Sequence, residues 1–357
     1  MKKKSVLWIA FMLCGLFSTA QKNISALSWP EVVHKLPDNW YGSTEAVEIA
    51  ENLLLYQREV GGWPKNTAFH KPLSEDEKSA LLKLQKIGDG STIDNGATTV
   101  ELVYLSKVYK KTNVEKYKNA FLKGVRYLLE AQYENGGWPQ FYPLKKGYYT
   151  HITYNDNAMV NVLSILKKLA SQSADLIVLD DEDLLARINN AYERGIQCIL
   201  KTQYRQNGVL TVWCAQHDEV TFEPAKARAY ELPSLSGSES AGIVQLLMEI
   251  EKPDKKVVTA IKAAVTWFEK VKIEGIRIEN YTDENGIADR KVVTDVKAAP
   301  IWARFYELNG NRPFFCDRDG IKKYTLAEIG HERRNGYSWY SYFPQTILDK
   351  YPIWQER

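Results

Sequence analysis

Apolar positions between about residue 46 and residue 271 recur with the period of amphipathic helices, and the blocks fall into two alternating series. Helices are predicted around 46–57, 115–132 and 182–203. Between them run helices ending near Tyr109, Ala170 and Glu251, and a further one near 256–271 continues the series. The segments LLLYQREVGGWP (53–64), LLEAQYENGGWP (128–139) and ILKTQYRQNGVLTVW (199–213) repeat one plan: a helix, an aromatic and a glutamine, a polar turn with glycine, then a short aromatic strand. Gly61, Gly136 and Gly208 stand 75 and 72 residues apart. Each is expected to stop its helix in the left-handed conformation that glycine tolerates. After each turn an acidic or amide cluster opens the next helix: Asp94-Asn95, Asp156-Asn157 and Ser238-Glu239. Their side-chain oxygens are expected to cap the free N–H groups there. Alternating outer and inner helices at about 70 residues per repeat predict a mainly α protein. Its shape is a partial (α/α) toroid, with short β-hairpins and irregular loops on one face. A long bundle without a central groove is the competing shape, and the recurring hairpins favour the ring.

Composition supports one large core, with 45% hydrophobic residues and ten tryptophans. No Pro/Gly/Ser linker divides the chain, so residues 21–357 are expected to form a single catalytic domain. Residues 1–20 read as a signal peptide: Lys2 to Lys4, an apolar run from Val6 to Phe17, then Ser18-Thr19-Ala20 for cleavage. An exported protein, periplasmic or secreted, follows; an uncleaved anchor is the alternative. Removing that segment takes three lysines and no acids from a chain of net charge +3, leaving none. A neutral mature chain lacks the global basic field of a nucleic-acid partner, so any charged partner must meet local clusters. No membrane role is expected after cleavage, and a monomer is expected. Cys198, Cys214 and Cys316 form no disulfide framework, though one pair could form after export. Without a CxxC or His/Cys cluster a structural zinc site is not expected.

Candidate chemistry lies on the face that carries the turns. Asp94 and Asp156 would converge there, and paired carboxylates either bind a hard cation through oxygen or act as a general acid and base. The irregular stretch from Trp213 to Ser240 mixes His217, five acids, Lys226, Arg228 and Tyr230 without periodicity. Two cations two residues apart point the same way in an extended chain. Salt bridges to Glu223 and Glu231 are the plainer reading. Further on, Arg304, Arg312, Arg318, Arg333 and Arg334 are interleaved with aromatics. Guanidinium forks take carboxylates and rings stack on pyranose faces, which suits a polyanionic sugar.

The set GGWPKN (61–66), DNGAT (94–98), GGWPQFYP (136–143), YNDNAM (154–159), EPAKARAYELPS (223–234) and CDRDG (316–320) closely resembles the pectate lyases of polysaccharide lyase family 10. The match spans roughly residues 40–352. The resemblance implies a helical partial toroid and calcium-dependent β-elimination of polygalacturonate. It implies Arg228 as the base, Asp94 and Asp156 as metal ligands, and Asn95, Asn157, Lys226, Tyr230 and Arg318 on the substrate. Arg318 is the expected clamp on a substrate carboxylate. An arginine base is awkward, because guanidinium normally holds its proton far above neutral pH. Nearby cations such as Lys226 and bound calcium, together with desolvation, would favour the neutral form. Two rival readings are a glycoside hydrolase using Asp94 and Asp156, and a calcium-dependent binder of acidic polysaccharide without turnover.

Overall fold

The computed structural model describes residues 24–356, so the predicted signal peptide lies outside the described residues. Eleven α-helices are described: α1 (Trp29–His34), α2 (Thr44–Tyr56), α3 (Glu75–Ile87), α4 (Thr99–Thr112), α5 (Glu115–Glu130), α6 (Ala158–Ala170), α7 (Glu182–Thr202), α8 (Glu239–Met248), α9 (Lys255–Val271), α10 (His331–Gly336) and α11 (Phe343–Gln355). The inner row α4, α6 and α8 packs side by side, and the outer row α2, α5, α7 and α9 packs around it. This is the predicted α-toroid, and α11 closes its end against α8 and α9. Among the described residues no helix is long and apolar enough to cross a membrane.

The repeat has a hydrogen-bonded explanation. The indole N–H of Trp63, Trp138 and Trp213 each donates to a carbonyl of the preceding outer helix: Leu53, Leu128 and Ile199, at 2.9, 2.7 and 2.7 Å. Trp302 does the same to Phe268 of α9 at 2.9 Å, which reveals a fourth unit. Each turn glutamine ties its own turn to the next outer helix. Gln57 donates to Gly61 and Ala120, Gln132 to Gly136 and Ala191, and Gln203 to Thr211 and Ala260. Each amide places both of its N–H bonds in this way, and such bonds contribute about 1 kcal/mol each and would be costly to leave unmade.

Two expectations are corrected. The glycines do not stop the helices, because α2 leaves its last turn through Gln57 in an extended conformation. Gly61 and Gly136 have φ near +106° and +93°, and a Cβ there would sit 2.4 Å from Lys123 O and 2.2 Å from Arg194 O. They are close-approach points against the next outer helix. Gly208 has no such neighbour; with Asn207 it makes the tip of the Arg205–Gln206/Val209–Leu210 hairpin. Nor do the acidic clusters cap by side chain: α4, α6 and α8 begin without a side-chain cap bond. Their capping is given up for the site described below.

Several elements escaped the periodicity. Helix α3 starts at a Ser74/Glu77 capping box. Strands Ile276–Thr282 and Ala288–Thr294 form an exposed hairpin, held to α10 by Asp289 and Arg334. Tyr230, Phe305, Phe314, Phe315, Cys316 and Trp339 make a second buried cluster beneath the Arg228 loop. Cys198, Cys214 and Cys316 are all free and buried, so the described residues contain no bridge between them.

Candidate active site

The two acidic clusters form single turns of 3₁₀ helix that touch each other, Asp94–Gly96 and Asn155–Asn157. Their backbones superpose in kind. Asn95 and Asp156 both take left-handed φ, near +53° and +50°, as do Gly96 and Asn157. The repeat therefore pairs Asp94 with Asn155 and Asn95 with Asp156, one residue out of step with the paired Asp-Asn motifs in the sequence. The two aspartates consequently differ in environment. Asp94 is 2% exposed, and its Oδ2 accepts from the Lys65 ammonium and from Gln140 Nε2, the latter at 2.6 Å. Its Oδ1 is buried without a protein partner. Asp156 turns outward, 38% exposed, with Oδ2 accepting from Asn155 at 2.7 Å and Oδ1 from Arg304 at 3.1 Å.

Arg304 is the residue that joins the turns. Its Nη2 donates to Asn155 Oδ1 at 3.0 Å, to Asp156, and to the buried Glu239 carboxylate at the start of α8. Its guanidinium lies 4.6 Å from the centre of the Tyr337 ring. Burial alone would weaken its charge, but Glu239, Tyr337 and Asp156 more than compensate and hold it protonated. Arg304 stands two residues after Trp302, as Lys65 follows Trp63 and Gln140 follows Trp138. In these three of the four units a polar side chain at that position meets the turns (the Trp213 unit has Ala215 there), so the tryptophan repeat carried a signal for three site residues. Asn157 packs against α8, where Gly242 leaves room: a Cβ there would be 2.1 Å from Asn157 Oδ1. Asn95 donates to Asn66 Oδ1 at 2.9 Å.

Arg228 sits on the loop after α7. Its Nε and Nη2 grip Glu231 at 2.7 and 2.5 Å, and its backbone N–H donates to the same carboxylate at 3.1 Å. Tyr337 OH adds a fourth bond to Glu231 at 2.8 Å. Glu231 is buried to 4% side-chain exposure while Arg228 keeps 43%, so the carboxylate pins one edge of the fork and leaves Nη1 on the open side. Burial works against the Arg228 charge, but the hydrogen bonds and charge of Glu231 outweigh it and raise the pKa above the ordinary arginine value. The salt-bridge reading is thus realised with Glu231. Lys226 is exposed nearby. His217 is structural. It is wholly buried between Cys214 N and Phe222 O, and burial depresses it to about 4.

Tyr230 is buried with three guanidiniums round its ring: Arg333 at 4.7 Å, Arg228 at 5.0 Å and Arg318 at 5.9 Å. Arg318 is 64% exposed and clasps Glu332 through Nε and Nη2 at 3.0 and 2.7 Å; Arg333 shares that carboxylate at 2.8 Å. A chain thus links the aspartate turns to the arginine cluster: Asp156, Arg304, Tyr337, Glu231, Arg228. Glu231 is the salt-bridge partner the sequence offered, but Glu239 was expected only to open a helix and Tyr337 was given no role of its own, since nothing short-range marks a buried carboxylate as a partner for an arginine 65 residues away.

The oxygen donors fit a hard cation. Asp156 is open to solvent and Asp94 Oδ1 lacks a protein partner, the pattern calcium or magnesium requires. Lys65 and Arg304 already offset much of the negative charge, so such a site would be weak until a ligand adds oxygens of its own. A second group, His151, Asp218 and Glu219, was not foreseen; His151 Nδ1 lies 3.0 Å from Glu219 Oε2.

A family model for pectic acid lyase matches residues 57–348. Among solved structures, a family 10 polysaccharide lyase from Cellvibrio cellulosa is similar at 38% identity and TM-score 0.76, covering 92% of this chain and 95% of that one. An aspartate-to-alanine mutant of such a lyase from the same organism, in complex with trigalacturonic acid, is similar at 39% identity and TM-score 0.75 over 88% and 95%. A search of curated proteins found no match.

Proposed function

The chain belongs to the pectic acid lyase family of polysaccharide lyases, and from that premise we propose that it cleaves de-esterified polygalacturonate by calcium-dependent β-elimination, with Arg228 as the base. The trigalacturonic acid bound to the similar lyase supports a galacturonate oligomer as the ligand. We propose an exported enzyme whose described residues act as one catalytic unit.

Elimination removes the proton α to the uronate carboxylate, forms a carbon–carbon double bond, and expels the glycosidic oxygen. Arg228, in its neutral form, receives that proton on the side of the fork away from Glu231, and the departing glycosidic oxygen takes a proton from solvent. Glu231 and Tyr230 hold the guanidinium plane in place. Arg318, Arg333 and Lys226 surround the same face with positive charge that meets the uronate carboxylates. Calcium held by Asp156 and Asp94, when bound, would stabilise the charge that spreads onto the carboxylate as the proton leaves. Asn95 is exposed and Asn157 half-buried on the aspartate turns, where both can meet substrate, whereas Tyr230 is buried and serves the arginines rather than the sugar.

The observation that carries the reading is the fork geometry: one edge of Arg228 locked by a buried carboxylate, the other free beside an arginine cluster. It favours elimination over glycoside hydrolysis. A hydrolase needs one carboxyl of a pair as proton donor, whereas Asp94 and Asp156 each already accept from a cation. Arg228→Ala should abolish unsaturated product while oligogalacturonate binding survives. Binding lost in step with activity would move Arg228 from base to clamp.

A further inference from the structure

Residues 140–150 cross the face between the two ends of this site. At one end Gln140 bonds to Asp94, and Phe141 pairs with Thr92. At the other, Tyr148 lies near enough to Arg228 and Glu231 for both charges to reach its hydroxyl. Between them run three rings in sequence. Phe141 and Tyr149 meet edge to face at 5.2 Å, and Tyr149 and Tyr148 lie 4.1 Å apart. The Lys145 ammonium sits 5.1 Å from the Phe141 ring centre and 4.7 Å from that of Tyr149. It is exposed and rests on rings rather than on a carboxylate. Lys65 approaches Phe141 from the Asp94 side at 5.8 Å. Beyond Lys65, residues 64–71 and the N-terminal stretch 25–30 enclose a cavity of about 500 Å³ with Asn66 and Asn95 in its wall.

Resting on the galacturonate reading, we infer that this row is a binding track for sugar units beyond those held at Arg228. A uronate polymer presents a C–H face and a carboxylate on every unit. Rings alone would serve a neutral sugar and lysines alone any anion, so the interleaving of both selects an acidic polysaccharide. Phe141, Tyr149 and Tyr148 take pyranose faces, while Lys145 and Lys65 take carboxylates. The cavity receives the end of a longer chain. The enzyme therefore discriminates by length, and esterification of the units over Lys145 removes part of that preference.

The test uses the full chain, Lys145→Glu and Lys145→Ala, with trigalacturonate and hexagalacturonate, reading both kcat/KM and directly measured affinity. Neither variant touches the residues assigned to the reaction. Charge reversal should lower kcat/KM and affinity for the hexamer by about tenfold, and the alanine by about threefold, as expected for one partly exposed charge contact. The trimer should be unaffected by either. Equal losses on both lengths, or none on the hexamer, overturn the track. Affinity needs no turnover, so a chain that makes no unsaturated product would refute the lyase reading while still deciding the length dependence.

Discussion

On the proposal that Arg228 is the base, Glu231 sets the pH at which it works, and Glu231→Gln is the perturbation that tests this. The glutamine keeps the shape and can still accept from the Arg228 backbone N–H, but it removes the negative charge that two guanidinium nitrogens grip. A bidentate charge-assisted pair is strong when buried. Here Arg228 is 43% exposed, so solvent screening reduces the loss to about 1–2 kcal/mol. The sign follows directly. Glu231 raises the arginine pKa, so its removal lowers it and enlarges the neutral fraction at any pH below the optimum. That fraction should grow by roughly five- to thirtyfold, since about 1.4 kcal/mol is a factor of ten. The assay is kcat/KM for polygalacturonate from pH 6 to pH 11, followed by ultraviolet absorbance of the unsaturated product. The acidic limb should move to lower pH in Glu231→Gln, whatever happens to the plateau, and should stay in place in the charge-retaining Glu231→Asp. A limb fixed in Glu231→Gln with only a lower plateau would refute Arg228 as the titrating base.

Arg304→Met should cost about 3–5 kcal/mol, because it leaves the Glu239 carboxylate buried without its cation; a melting temperature within a degree or two of the parent would contradict this. His217 is neutral in the fold and depressed to about 4, while the unfolded chain takes up a proton near the usual 6.5. Between those values the unfolded state binds more protons, so stability should fall as pH drops from 6.5 to 4, by about 3 kcal/mol in all. Denaturant titrations across that window should show the loss in the parent and a smaller one in His217→Gln.

The ring of helix pairs was legible because its cause is periodic: apolar stripes, a tryptophan and a glutamine at the same place in each unit. The fourth unit was missed because 34 residues separate Phe268 from Trp302, against ten between Leu53 and Trp63. Those extra residues include the exposed hairpin, whose alternation is too polar to stand out. Both aspartates, Arg228, Tyr230 and Arg318 entered the proposed site through motifs alone. Their environments were not. The aligned Asp-Asn pairs suggested equivalent aspartates, yet left-handed residues at Asn95 and Asp156 set the true register and turn one aspartate in and the other out. Arg304 and Glu239 meet across 65 residues, a contact that only the closed ring creates.

The central claim is elimination at Arg228 assisted by calcium, and a paired product measurement decides it. Polygalacturonate is incubated with the protein, with calcium and with excess chelator, and each sample is read for ultraviolet absorbance and for new reducing ends. One unsaturated end for every reducing end, lost on chelation, is the predicted result. Reducing ends without absorbance would contradict it and return Asp94 and Asp156 to the role of a hydrolytic pair.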